Sequence, residues 1–188
     1  EQRHLARHRE HLRRKPRRAL AKCSRPVHSW GMTGAFPDPA SLLPGQRLAR
    51  GVCRHLAGFD FACVEEYVPA PGMRVDVMAL GPKGQLWVVE CKSGMADYRA
   101  DRKWQGYLDW CDRFFWAVDA AFPAEVLPEG TGLIVADDWG AEILRMGPEA
   151  PLAAARRRVI TRDLARCAAR RLQSLRDPRP TTLGGGPA

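Results

Sequence analysis

Three residues near the middle of this chain have the types and spacing that phosphate-ester chemistry uses: Asp76 and, after thirteen intervening residues, Glu90 with Lys92. Each lies in an alternating, strand-like run. Arg74 to Leu80 sets Val75, Val77 and Ala79 against Arg74, Asp76, Met78 and Leu80, and Gln85 to Lys92 sets Trp87, Val89 and Cys91 against Leu86, Val88, Glu90 and Lys92. One face is apolar throughout. The other is apolar near the connecting turn and polar at its far end, the pattern expected where a covering helix stops and a site opens.

The turn Gly81-Pro82-Lys83-Gly84 fixes how the two runs meet. Pro82 suits the second position of a type I turn, and Gly84 suits the left-handed residue of the G1 bulge that follows it. In that three-residue loop, paired residue numbers sum to 166, so Asp76 faces Glu90 and Arg74 faces Lys92. A two-residue loop would shift the sum by one and point Asp76 away from Glu90.

Two carboxylates directly opposite each other, with β-carbons about 5 Å apart, repel unless a proton or a cation lies between them. Mg²⁺ or Mn²⁺ is the natural occupant, being a hard ion that takes oxygen ligands and is commonly held by one or two carboxylates together with substrate phosphate. Lys92, two residues past Glu90 on the same face, brings an ammonium group beside the approaching phosphate. Asp76 and Glu90 are thus the candidate metal ligands, with the Cys91 carbonyl oxygen as a third, and Lys92 the candidate catalytic group that positions water and offsets developing charge. The competing explanation is a solvated patch of cross-strand ion pairs at a sheet end.

The elements that must position these residues can be read on either side of the hairpin. Leu48, Val52 and Leu56 recur every four residues and predict an amphipathic helix over 45–57, closed by Gly58. A strand-like run, Phe59 to Val68, precedes the hairpin. Trp104, Tyr107, Leu108 and Cys111 predict a second helix within 96–111, with Trp104 and Tyr107 as core rather than base-stacking residues. Short apolar runs follow at Phe114–Val118, Leu133–Ala136 and Ala141–Met146, and a long helix runs over about 152–175. Its Arg158, Arg162, Arg166 and Arg170 share one slowly drifting face, either a phosphate-contacting stripe or a solvated surface. This order predicts an α/β fold: a mixed sheet covered by helices on both faces.

Composition limits the alternatives. A chain of 188 residues, 45% apolar, builds one core with tails rather than two domains. We read 1–44 as a basic tail and linker, 45–176 as the folded domain, and 177–188 as a disordered end. Of the net charge of +9, residues 1 to 31 carry +8. That segment is either a nucleic-acid-binding tail or translated sequence upstream of Met32. No window reaches the roughly 18 uninterrupted apolar residues of a membrane span, and the Arg-rich start has no apolar signal segment, so a cytoplasmic, nucleoid-associated protein is expected. Six cysteines, scattered singly, offer no zinc spacing and read as reduced thiols.

Asp76 with Glu90-Cys91-Lys92 resembles the PD-(D/E)XK nuclease superfamily. More closely, Arg74–Leu80, Trp87–Ser93, the Asp97/Asp101–Trp104 segment and Trp110–Val118 resemble the MmcB-like bacterial DNA-repair family, over about residues 45–172. The resemblance implies a restriction-endonuclease-like core, Mg²⁺ dependence, DNA as partner and a role in repair as a small helper nuclease. It also implies a site role for Gln105, which is similar to a helical Gln that some superfamily members place beside the metal-bound water. Val75 stands where the superfamily has its Pro, and the first helix contains no acid; Glu66, near the end of the preceding strand, is either a substitute or a solvated strand-end residue. Two further readings stay open: a non-catalytic DNA-binding accessory factor, and an interaction module whose carboxylates are only surface ion pairs. A domain this small has little room for separate recognition, which makes a homodimer or a repair-protein partner an expectation as well.

Overall fold

The computed structural model describes residues 41–177. Most of the 1–44 tail and linker and nearly all of the 177–188 end lie outside the described residues.

The first helix, α1, spans Pro44–Ala57. Pro44 sits in its first turn, where a missing N–H costs nothing, and the Gln46 side chain accepts the Leu43 N–H at 3.0 Å. Its Leu48, Val52 and Leu56 stripe is buried as the spacing predicts. Gly58 ends it, and Asp60, at φ 64°, turns the chain into the sheet. That turn is why the first strand, β1, begins at Ala62 rather than Phe59.

Strands β1 (Ala62–Ala70), β2 (Met73–Leu80) and β3 (Leu86–Lys92) form an antiparallel meander. Strand β4 (Arg113–Val118) runs parallel to β3, β5 (Gly132–Ala136) parallel to β4, and β6 (Ala141–Arg145) antiparallel to β5. The six strands stand in sequence order across one mixed sheet. Helix α1 covers one face, over Val77, Ala79, Val89, Phe115 and Ile134. The other face, with Met78, Leu86, Val88 and Trp116, is covered by Tyr107 from the β3–β4 crossover and by Ile160 and Leu164 of the last helix, α3 (Ala154–Arg176). The α/β architecture expected from element order is therefore the one observed. Among the described residues no helix is long and apolar enough to cross a membrane, and Cys53, Cys63, Cys91, Cys111 and Cys167 are free thiols.

Two local expectations need correction. The helix predicted over 96–111 is two pieces: α2 (Met95–Ala100) and a 3₁₀ segment (Trp104–Trp110). Asp101 between them is extended (φ −78°, ψ 115°), and its carboxylate accepts the Lys103 N–H at 2.8 Å, a local side-chain bond that competes with helical pairing. Tyr107 is core and Trp104 packs against it, as expected. The second correction is Val75. Strict alternation places it with Val77, yet it packs in the opposite cluster beside Tyr67. Glu66, on the adjoining stretch of β1, has a left-handed φ of 47°, and beyond that point the two strands exchange faces.

Candidate active site

The site is built outward from the hairpin turn. Gly84 adopts φ 81°, its N–H bonds the Gly81 carbonyl at 2.9 Å, and the Gly81 N–H bonds the Gln85 carbonyl at 2.8 Å. This is the three-residue loop expected from Pro82 and Gly84. The ladder that follows pairs Leu80 with Leu86, Ala79 with Trp87, Met78 with Val88 and Val77 with Val89, all in the register in which Asp76 and Glu90 come next. Regular pairing stops at Val77–Val89, and the Asp76 side chain takes over the ladder's work, with Oδ2 accepting the Cys91 N–H at 2.8 Å. Arg74, one step farther out, turns toward Glu66 in an exposed ion pair at 3.7 Å.

Glu90 and Lys92 are both buried, at 6% and 5% exposure. Lys92 Nζ lies 3.2 Å from Glu90 Oε1 and 2.8 Å from Asp101 Oδ2, with the Trp116 ring 5.7 Å away. Glu90 Oε2 is buried with no hydrogen-bond partner. Burial, reinforced by the Asp76 charge, pushes the Glu90 carboxyl up to about 7 despite the nearby lysine. Burial also raises Asp76, partly offset by the Cys91 N–H and Lys92. Burial opposes charge on Lys92 as well, but the Asp101 and Glu90 carboxylates outweigh it and hold the ammonium above its ordinary range. The burial of Asp101 is likewise outweighed, by Lys92 and by backbone N–H groups, so that its carboxyl falls below the usual value.

An orphaned, buried carboxylate oxygen beside a second desolvated carboxylate is a cation-seeking arrangement, because each unpaired lone pair retains its desolvation cost until a positive group meets it. The donors are all oxygen, which fits a hard divalent ion. Among the described residues, no group of three or more His, Cys, Asp and Glu side chains is arranged around one metal position. Two carboxylates, those of Asp76 and Glu90, are the acidic oxygen donors that the hairpin offers.

Two concavities meet at this point. One, of about 690 Å³, opens between the hairpin and the first turn of α1, with Glu65, Glu66 and Arg171 on its wall. The other, of about 410 Å³, opens toward Asp101, Lys103 and Tyr107. Arg74, Asp76, Glu90, Lys92 and Asp97 line both. The location follows the general behaviour of open sheets containing parallel strands, whose ligands bind beyond the carboxyl ends of those strands.

Of the residues singled out from sequence, Asp76, Glu90, Cys91 and Lys92 are brought together, and Glu66 reaches the same cleft. Gln105 is not. With the predicted helix broken at Asp101, it stands exposed on the 3₁₀ segment and lines neither concavity. Arg158, Arg162, Arg166 and Arg170 are exposed, as a surface stripe requires. The neighbouring Arg171 goes elsewhere, bonding the Glu65 carbonyl and, at 2.9 Å, the Glu66 carbonyl. Asp101 and Arg171 line these concavities, and sequence reasoning gave them no role. Asp101 carried a faint signal, an Asp before Arg102-Lys103 inside an otherwise helical pattern; Arg171 carried none.

The family model described as DNA repair protein MmcB-like matches residues 44–179. Among solved structures, the chain is similar to the SPO1766 protein of unknown function from Silicibacter pomeroyi, with 62% identity and a TM-score of 0.73. That match covers 77% of this chain and 99% of the other. Comparison with curated proteins gives no match.

Proposed function

The chain belongs to the MmcB-like DNA repair protein family, and from that premise we propose that its carboxylate hairpin is a metal-dependent site of the PD-(D/E)XK type that hydrolyses DNA phosphodiester bonds. The observation that carries this reading is Glu90 Oε2, buried and unpartnered beside Asp76. A structural ion pair would satisfy both oxygens, whereas a metal ligand keeps one for the metal. Asp76, Glu90 and the Cys91 carbonyl would hold Mg²⁺ or Mn²⁺, which when bound supplies Lewis-acid polarisation and a more acidic water.

The chain's own residues do the rest. Lys92, held in its charged form, places a fixed positive charge where the phosphorane gains negative charge. Asp101 anchors that ammonium at 2.8 Å so that it does not collapse fully onto Glu90. Asp76, bonded to the Cys91 N–H, fixes the β3 backbone that carries the Cys91 carbonyl. Gln105 has no part in this arrangement.

A second reading has one observation in its favour: the described residues supply no third acidic side chain around the metal position. On that reading the protein is a DNA-binding accessory factor that keeps the site without turnover. The experiment that separates the two presents single-stranded, nicked, branched and duplex DNA to the purified chain with Mg²⁺ or Mn²⁺. Products that vanish in Asp76→Asn support hydrolysis, and binding without products supports the accessory role.

A further inference from the structure

The loop joining β5 and β6 holds Trp139 at 70% exposure, the most exposed large apolar side chain among the described residues. Isolated exposed aromatics are common and need no explanation, but the loop that carries this one is fixed by its own hydrogen bonds. Asp137 Oδ1 accepts the N–H groups of Trp139 and Gly140 at 2.8 and 2.9 Å, and the Asp137 N–H bonds the Gly140 carbonyl at 3.0 Å. Helix α1 then presses against the loop at Gly51, where a β-carbon would stand 1.9 Å from the Asp137 carbonyl oxygen and 2.6 Å from that of Gly140. Only glycine permits that approach.

The approach brings Arg50 and Arg54, one helical turn apart, against the indole. Their guanidinium carbons lie 5.6 and 5.4 Å from its ring centroid. Arg50 Nη1 is buried there without a hydrogen-bond partner. An open indole on a fixed loop, backed by two guanidiniums, has the chemistry that takes an unpaired base on its π-face and a phosphate alongside. A paired base has its faces occupied by its neighbours and cannot stack in this way.

The position adds direction. The first turn of α1 lines the cleft that contains Asp76 and Glu90, and from Gln46 to Arg54 the helix advances about 12 Å. We infer that Trp139, with Arg50 and Arg54, is a stacking platform for single-stranded DNA, carrying an unpaired flank of the substrate along α1 away from the carboxylate hairpin. The direction of the strand rests on the nuclease-type reading of the hairpin; the stacking does not.

The test measures binding of the full chain to a labelled oligothymidylate and to a blunt duplex of equal length, with EDTA present so that no cleavage occurs. Trp139→Leu is expected to weaken single-strand binding about tenfold, the loss of one stacked base, and to change duplex binding less than twofold. Trp139→Phe, which keeps a π-face, should recover most of the loss, and both variants should melt with the wild type because the side chain is mostly in solvent. Arg50→Gln and Arg54→Gln should each lower the log-log salt slope on single strands by about 0.7. Equal losses on single strand and duplex, or full affinity in Trp139→Leu, would overturn the platform. A second measurement without EDTA, the melting of wild type and Asp76→Asn with and without Mn²⁺, separates the two readings: if single-strand affinity depends on Trp139 while the wild-type midpoint does not respond to the metal, the platform stands and the nuclease reading falls.

Discussion

Among the described residues, two buried acid–base clusters stand at opposite ends of strands β3 and β4, and they are built on opposite terms. At the entry end, Asp112 uses both oxygens twice. Oδ2 accepts the Leu86 N–H at 2.7 Å and Arg157 Nη1 at 2.5 Å, and Oδ1 accepts the Leu152 N–H at 2.9 Å and Arg157 Nη2 at 2.6 Å. Burial works against its charge, but Arg157 and the two amides outweigh it and hold the carboxyl below its usual range. At the exit end, Glu90 is as deeply buried yet leaves one oxygen unmatched, and its carboxyl is pushed up to about 7. The first cluster pins α3 to the sheet. The second stores an unmet demand for positive charge. A buried carboxylate is therefore not informative by itself; the number of its lone pairs that are matched separates a clamp from a site.

Exchanging single atoms at the two ends should give opposite signs. Asp112→Asn keeps the shape but loses the charge facing Arg157, and it is expected to destabilise the fold by about 3 kcal/mol, on the order of 10 °C in melting temperature. Glu90→Gln and Asp76→Asn remove like-charge repulsion, so the metal-free protein should melt unchanged or higher while any rise on adding Mn²⁺ disappears. Calorimetry of the three variants with and without Mn²⁺ checks this. If Glu90→Gln melts as low as Asp112→Asn, the exit cluster is a second clamp and the comparison fails.

Lys92 sharpens the comparison, because it belongs to both kinds of cluster. Lys92→Met leaves Asp101 and Glu90 facing each other without the ammonium that now separates them, so stability should fall by a few kcal/mol. The double variant Lys92→Met/Asp101→Asn should recover part of it. DNA cleavage, if Lys92 acts on the phosphate, stays lost in the double variant.

The two ends should also respond oppositely to pH. Glu90 binds its proton more tightly when folded, with an ordinary value of 4.5 raised to about 7. Its contribution to metal-free stability is complete below about 4.5 and is lost as pH rises toward 7. The carboxyl of Asp112 is depressed when folded, so its contribution is present above the ordinary value of 3.8 and is lost as pH falls through the lower folded value. Denaturant midpoints across pH 3 to 8 should show the decline on the neutral side vanish in Glu90→Gln. Persistence of that decline would assign it to another group.

The smallest expected effect is on the α3 stripe. If Arg158, Arg162, Arg166 and Arg170 contact phosphates, each change to Ala should reduce the duplex salt slope by about 0.9. An unchanged slope in all four makes the stripe a solvated face.

The features that the sequence determined by itself each have a short period or a local turn. The Leu48-Val52-Leu56 stripe, the alternation in β2 and β3, and the Pro82–Gly84 loop placed α1, the meander and the β2–β3 register up to Val77–Val89, because side-chain periodicity and turn chemistry act over a few residues. Three features were decided only by tertiary structure. Asp101 left its helix to meet Lys92, a contact made nine residues away across a turn, and this removed Gln105 from the site. Val75 changed faces because Glu66, on a different strand, adopted a left-handed backbone. Arg171 reached the cleft through carbonyls more than a hundred residues earlier in the chain. In each case the deciding partner lies on another element, so its effect on the local backbone or side chain has no periodic trace in the sequence.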